Sequence, residues 1–228
     1  MKKIFVFLAL SCILVSCQKE INFDSPSSGG SGSGGGTGAN GSYQPVSKGS
    51  YWKYHDSQAN SDYTLTLTGE KRTINGIDFA VFTSTPASAG AEGMFGIHGH
   101  DLYLSVKGAI PGSTDGINLN FLYANDTASV GYTWDNTAGQ ANGFTAYTPG
   151  KILEKGISIT VAGKNYTNVI HTQIVLQYDL PVLGLVNAST YDYYVAKNIG
   201  IVRIVTIGDP NFSPGLNETT DLIDYSIK

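Results

Sequence analysis

The chain has 228 residues, a formal charge of −4 and only 14% charged side chains, well below the roughly 25% of an ordinary soluble protein. Lys and Arg total 14 with no basic run beyond Lys2-Lys3, so nothing neutralises a row of phosphates and nucleic acid is excluded as a partner. Its 28 glycines and 14 tyrosines point to strands and turns.

In chain order, Lys2-Lys3 and the twelve apolar residues Ile4 to Val15 form the charged start and short hydrophobic core of a secretory signal. A membrane-crossing helix needs about twenty apolar residues, so this run is too short to span, and no later one approaches that length. Leu14-Val15-Ser16-Cys17 resembles the bacterial lipobox. The resemblance implies acyl chains on Cys17 after removal of residues 1–16, and with them a membrane as partner. Two or three buried acyl chains, at about 0.8 kcal/mol per methylene, make such attachment effectively permanent. Cys12 leaves with the signal and Cys17 carries lipid, so one mature chain has no cysteine pair to oxidise. Loss of Lys2 and Lys3 leaves 12 basic against 18 acidic residues, a net −6. Gln18 replaces the Asp of an inner-membrane retention signal, which favours the outer membrane; Lys19-Glu20 is a weak form of a surface-export signal, so periplasmic side and cell surface both stay open.

Residues 17–42 read as the lipidated cysteine and a tether, nearly all Ser and Gly from Ser25 onward. As a flexible coil these 26 residues reach roughly 25 to 30 Å. Residues 43–228 read as a single domain.

After Tyr43 the texture is all-β: short alternating runs broken every eight to twelve residues by turn residues, with no convincing long helix. Tyr63 to Thr68 alternates apolar rings and leucines with threonines, as a half-buried strand does. Lys71 to Ile74 and Ile77 to Thr83 flank Asn75-Gly76, a type I′ hairpin signal. Strands are further expected at 51–55, 94–98, 101–106, 119–123, 144–148, 157–161, 166–176, 191–195, 200–207 and 221–227.

Three pairs of segments recur in order: Gly49-Ser50-Tyr51-Trp52 with Gly131-Tyr132-Thr133-Trp134, Thr73 to Phe79 with Thr160 to Tyr166, and Asp101 to Leu104 with Asp192 to Val195. Two similar antiparallel meanders joined near residues 108 to 130 follow, forming a curved sheet, a sandwich or an open barrel. Gly49 to Trp52, Val130 to Trp134, Ile159 to Tyr166 and Tyr194 to Val202 together resemble a recurring class of uncharacterised all-β Bacteroidota lipoproteins. The resemblance covers most of residues 49–227, implies a shared β architecture and supplies no activity.

Candidate chemistry is sparse. His98 and His100, two apart on an expected strand, would put both rings on one face and give two metal ligands, which is no complete site. No cofactor is implied. The chain lacks a Gly-x-Ser-x-Gly elbow, and Glu70, Glu92, Asp101 and Glu154 offer carboxylates with no sequence spacing that pairs them, so a glycan-acting hydrolase is the minor reading and no catalytic residue is assigned. Leu180, Val182, Leu183, Leu185 and Val186 belong to an apolar connection, expected either to fold back as a lid or to contact a partner. Asp126-Thr127-Ala128 resembles a Bacteroidota O-glycosylation motif, which makes Thr127 the candidate acceptor. Tyrosines, Trp52 and Trp134 could stack on sugars, although most aromatics of this kind fill sheets. The leading expectation is a noncatalytic, lipid-anchored envelope domain that binds a protein partner or glycan or serves structurally; a carrier of an apolar ligand such as lipid is the alternative.

Overall fold

The computed structural model describes residues 41–86, 92–109, 116–141, 143–181 and 183–228. Among them there is no helix, and fourteen strands run in chain order: β1 (Tyr51–Asp56), β2 (Ser61–Ile74), β3 (Ile77–Thr85), β4 (Glu92–His98), β5 (Asp101–Ala109), β6 (Gly116–Asn125), β7 (Thr133–Trp134), β8 (Thr137–Ala141), β9 (Phe144–Tyr147), β10 (Gly150–Val161), β11 (Lys164–Leu180), β12 (Gly184–Ala196), β13 (Gly200–Gly208) and β14 (Asn217–Ser226). All belong to one antiparallel sheet, ordered β6-β5-β4-β3-β2-β1-β14-β13-β12-β11-β10-β7, with β9 pairing β11 and β8. The expected all-β curved sheet is therefore a nearly closed barrel; a two-sheet sandwich is excluded.

The right-handed twist of the strands and bulges in β2, β10, β11, β12 and β14 curl the sheet until its first and last strands approach. Side chains complete the closure. Trp134 Nε1 donates to the Leu122 carbonyl at 3.1 Å, Thr172 Oγ1 to that of Tyr123 at 2.6 Å, and Lys155 Nζ to that of Ala128 at 2.9 Å.

Two six-stranded meanders, β1 to β6 and β7 with β10 to β14, meet where β1 pairs β14. Their entries match bond for bond. Gly49 and Gly131 both sit at positive φ, +79° and +90°, and their N–H groups donate to Leu67 and Ile152, each at 2.9 Å. Leu67 and Ile152 return a bond to Ser50 and Tyr132, again at 2.9 Å, while Ser50 and Tyr132 donate to Ser47 and Ser129 at 3.1 Å. The hairpin turns Asn75-Gly76 and Ala162-Gly163 agree equally, with all four residues at φ between +47° and +79° as a type I′ turn requires. The third expected correspondence fails. Asp101 opens the fifth strand of its meander, whereas Asp192 lies on β12, the fourth of the other, so that likeness reflects shared strand vocabulary.

The interior is filled by rings. Trp52 and Phe95 meet edge to face at 5.7 Å, Phe82 and Phe95 at 4.7 Å, and Tyr193 lies between Phe121, Tyr123 and Tyr191 at 5.8 to 6.4 Å. Each buried aromatic removes on the order of 150–250 Å² from water, which makes these rings the main source of hydrophobic stabilisation. Several of their polar tips are satisfied: Tyr54 Oη donates to Ile201, Tyr123 Oη to Gln44, and Trp52 Nε1 to Ile199, whereas the buried Tyr166 hydroxyl has no partner among the described residues. Gln44, almost fully buried, thus carries the start of the domain into one end of the barrel, where the Asn198 N–H also donates to Ser42.

Candidate functional site

On β3, Ala80 and Phe82 join the interior core, while Phe79 and Val81 point the other way. This second, outward row continues across neighbouring strands through the pairings Phe79 with Gly96, Gly96 with Tyr103, and Ser105 with Asn120. Glycine at 96 is required by packing, because a Cβ there would stand 2.7 Å from the Phe79 ring. Beside β6 the chain between β7 and β9 lies as a strap. Asn136 Nδ2 donates to the Asn120 carbonyl at 3.0 Å and to Thr148 Oγ1 at 3.2 Å. Gly139 allows the strap's close approach, since a Cβ would meet the Asn118 carbonyl at 2.2 Å.

Strap, hairpin tip and outward face bound a cleft of about 390 Å³. Phe79, Tyr103, Ile74 and Ile77 give it apolar walls, and Asn75, Asn120, Asn136 and Gln140 give it carboxamides; among the described residues no charged side chain lines it. Asn120 Oδ1 is buried with no hydrogen-bond partner. Burial first, and then the nearby Asp101 and Tyr132, raise the Tyr103 hydroxyl above its ordinary pKa, so it stays protonated at neutral pH. Tyr132 is 43% exposed and packs its ring 6.0 Å from Trp134.

A second polar constellation runs across the second meander and on into β1 and β2 of the first. Glu154, His171, Tyr194, Arg203, Asp221, His55 and Asp62 occupy consecutive directly paired positions on β10, β11, β12, β13, β14, β1 and β2. His171 Nδ1 bonds Glu154 at 2.8 Å, Nε2 bonds Asp192 at 3.0 Å, and its ring stacks on Tyr194 at 4.2 Å. Two carboxylate acceptors require two N–H donors, hence an imidazolium. Burial acts to lower the His171 pKa, but the Asp192 and Glu154 hydrogen bonds outweigh it and the net shift is upward. Arg203 forms a two-pronged pair with Asp221 at 2.6 and 2.7 Å. This ladder ties strands together and encloses no metal site: among the described residues no group of three or more His, Cys, Asp or Glu is placed to hold an ion.

The residues singled out from sequence are scattered. Cys17, with the signal and tether up to residue 40, lies outside the described residues, as does Val182. The lid expectation for the apolar connection is corrected. Leu180 pairs with Gly184 and Leu185 with Asp179, so the described part of the segment extends the β11–β12 hairpin; Leu180 is buried, Val186 half-buried, and Leu183 and Leu185 are 70% and 58% exposed. Backbone pairing of two long strands wins over any folding back of the tip. His98 and His100 do not share a strand face either. His98 ends β4 and pairs with Asp101, while His100 sits in the turn and bonds Asp126 at 2.7 Å, because Gly99, at φ +63°, reverses the chain between them. Thr127 is exposed in a bend, where its N–H and hydroxyl both bond Asn125 Oδ1. Of the acids, Glu70 and Glu92 both pair with Arg72, Asp101 accepts from Asn125, and Glu154 serves His171.

Sequence reasoning missed the cleft. One signal was available: Ile117-Asn118-Leu119-Asn120-Phe121 alternates so strictly that both asparagines must face outward. The site's other members lie far apart in the chain and only the sheet assembles them.

Taken together, the fold and cleft define a single-sheet β-barrel domain with an open cleft on its outer face. No protein-family model matches the chain, and no curated protein does. Two solved structures are similar in fold. One is a presumed exported protein with a YmcC-like fold from Bacteroides fragilis, 10% identical, TM-score 0.47, covering 80% of this chain and 97% of that one. The other is a presumed lipoprotein from Parabacteroides distasonis, 12% identical, TM-score 0.45, covering 81% and 98%.

Proposed function

We propose that this chain is a noncatalytic, lipid-anchored domain of the bacterial outer membrane that binds a glycan in the cleft on the outer face of its barrel. The observation that carries the reading is where free space lies. Aromatic side chains occupy the interior, where a carrier would enclose an acyl chain, while the outward cleft is of a volume typical for small ligands, roughly 300–1,000 Å³. The carboxylates a hydrolase would use are each engaged with a basic or amide partner, consistent with binding and no turnover. Leu14-Val15-Ser16-Cys17 supplies the anchor and the Gly/Ser tether the reach.

The anchor is tested by fractionation. Cys17→Ala should move the protein from the membrane to the soluble fraction, and a variant that stays with the membrane refutes the lipidation. Binding is tested on the full lipoprotein in detergent, titrated calorimetrically with soluble oligosaccharides. Saturable heat is expected, and its absence across neutral and charged glycans defeats the glycan reading.

A further inference from the structure

We infer that the cleft takes a neutral sugar ring, with the partly exposed Tyr103 against the ring's C–H face and carboxamides on its hydroxyls; this rests on the reading of the cleft as the ligand site. The lining supports that ligand class by what it contains. Among the described residues no charged side chain borders the space, so an anionic or cationic ligand would leave its charge uncompensated there, at a large desolvation cost. An alkyl chain fits no better, since it would leave Asn120 Oδ1 buried with no donor. A pyranose matches both kinds of wall. Its axial C–H groups pack on an aromatic face, and each hydroxyl donates and accepts, as each carboxamide does.

Asn120 carries the strongest pointer. Its Oδ1 is buried without a partner, although its own backbone carbonyl is engaged by Asn136. A buried acceptor left unpaired is costly, and a hydroxyl donor entering beside Tyr103 offsets that cost. The half-exposed Tyr132 stands near Tyr103 at the β6–β7 junction and can extend the aromatic surface to a second ring of an oligosaccharide.

The test uses the full lipoprotein in detergent, titrated with maltose, cellobiose and lactose, with sialyllactose as anionic and palmitate as apolar comparator. At least one neutral disaccharide should bind saturably. Tyr103→Ala and Asn120→Leu should each weaken it about tenfold or more. The exposed-rim change Gln140→Ala should weaken it less without disturbing the fold, and Leu185→Ser at the hairpin tip should leave it unchanged. Binding of sialyllactose or palmitate, weakened by the cleft variants while neutral sugars fail, overturns the neutral-sugar assignment and keeps the cleft as the ligand site. Disaccharide binding that is indifferent to all three cleft variants, in proteins with unchanged circular dichroism, overturns the cleft itself. Absence of binding by every probe overturns both.

Discussion

At the residue scale, cross-strand pairs of an aromatic ring with glycine recur. Phe79 covers Gly96, Phe82 covers Gly93, and Trp134 covers Gly150, each leaving 2.3 to 2.7 Å for an added Cβ. The ring shields backbone that glycine leaves bare, and glycine lets the ring lie flat on the neighbouring strand. Gly96→Ala should therefore lower stability by about 1–3 kcal/mol in urea unfolding, with no change if the Phe79 ring can turn away freely. His171 carries a different expectation. Its folded pKa is raised above the unfolded value near 6.5, so the stability it contributes is fully present below that value and is lost as pH rises through the folded one. Melting of the wild type and of His171→Gln from pH 5.5 to 8.5 should give a gap in Tm that is widest at acid pH and closes upward. A gap that widens with pH contradicts the imidazolium.

At the element scale, the two type I′ hairpins ask for the same chemistry from different residues. Asn75-Gly76 is the favoured pair for that turn, whereas Ala162-Gly163 places an alanine at φ +47°. Substitution Ala162→Asn should stabilise by a few tenths of a kcal/mol, because asparagine tolerates the left-handed region better. Gly163→Ala should cost about 1–2 kcal/mol, since φ is +77° although no atom lies within 4 Å of the new Cβ. Equal unfolding midpoints for wild type and Gly163→Ala would remove backbone strain as the reason for glycine there. At the β11–β12 tip, Leu183 and Leu185 are apolar without being core, and a hairpin this long can carry them outward only because its backbone pairing continues to Leu180 and Gly184.

At the scale of the whole molecule, the meanders depend on each other. β1 is flanked by β2 and β14, so the first meander's entry strand borrows half of its pairing from the last strand of the chain. Trp52 completes its hydrogen bond on Ile199 of the second meander, and Trp134 on Leu122 of the first. A chain cut in the β6–β7 connection should therefore yield halves that show no cooperative unfolding alone, yet recover strand signal in circular dichroism when mixed. A half that unfolds cooperatively by itself would make the closure an accessory.

Composition, alternation and turn residues determined that this chain is built of antiparallel strands, that its body follows a Gly/Ser stretch, and that two of its hairpins are alike. Those features depend on neighbours along the chain, which a linear reading resolves. The third supposed correspondence, the lid and the paired histidines misled for one reason: each needed a strand's place in the sheet or the point where the chain turned, which Gly99 and the long β11–β12 pairing decide. Closure into a barrel, and the meeting of Phe79, Tyr103, Asn120 and Gln140 around one space, were decided by tertiary structure alone. Distances between strands far apart in sequence follow from register, twist and packing of the whole sheet, and no local pattern encodes them.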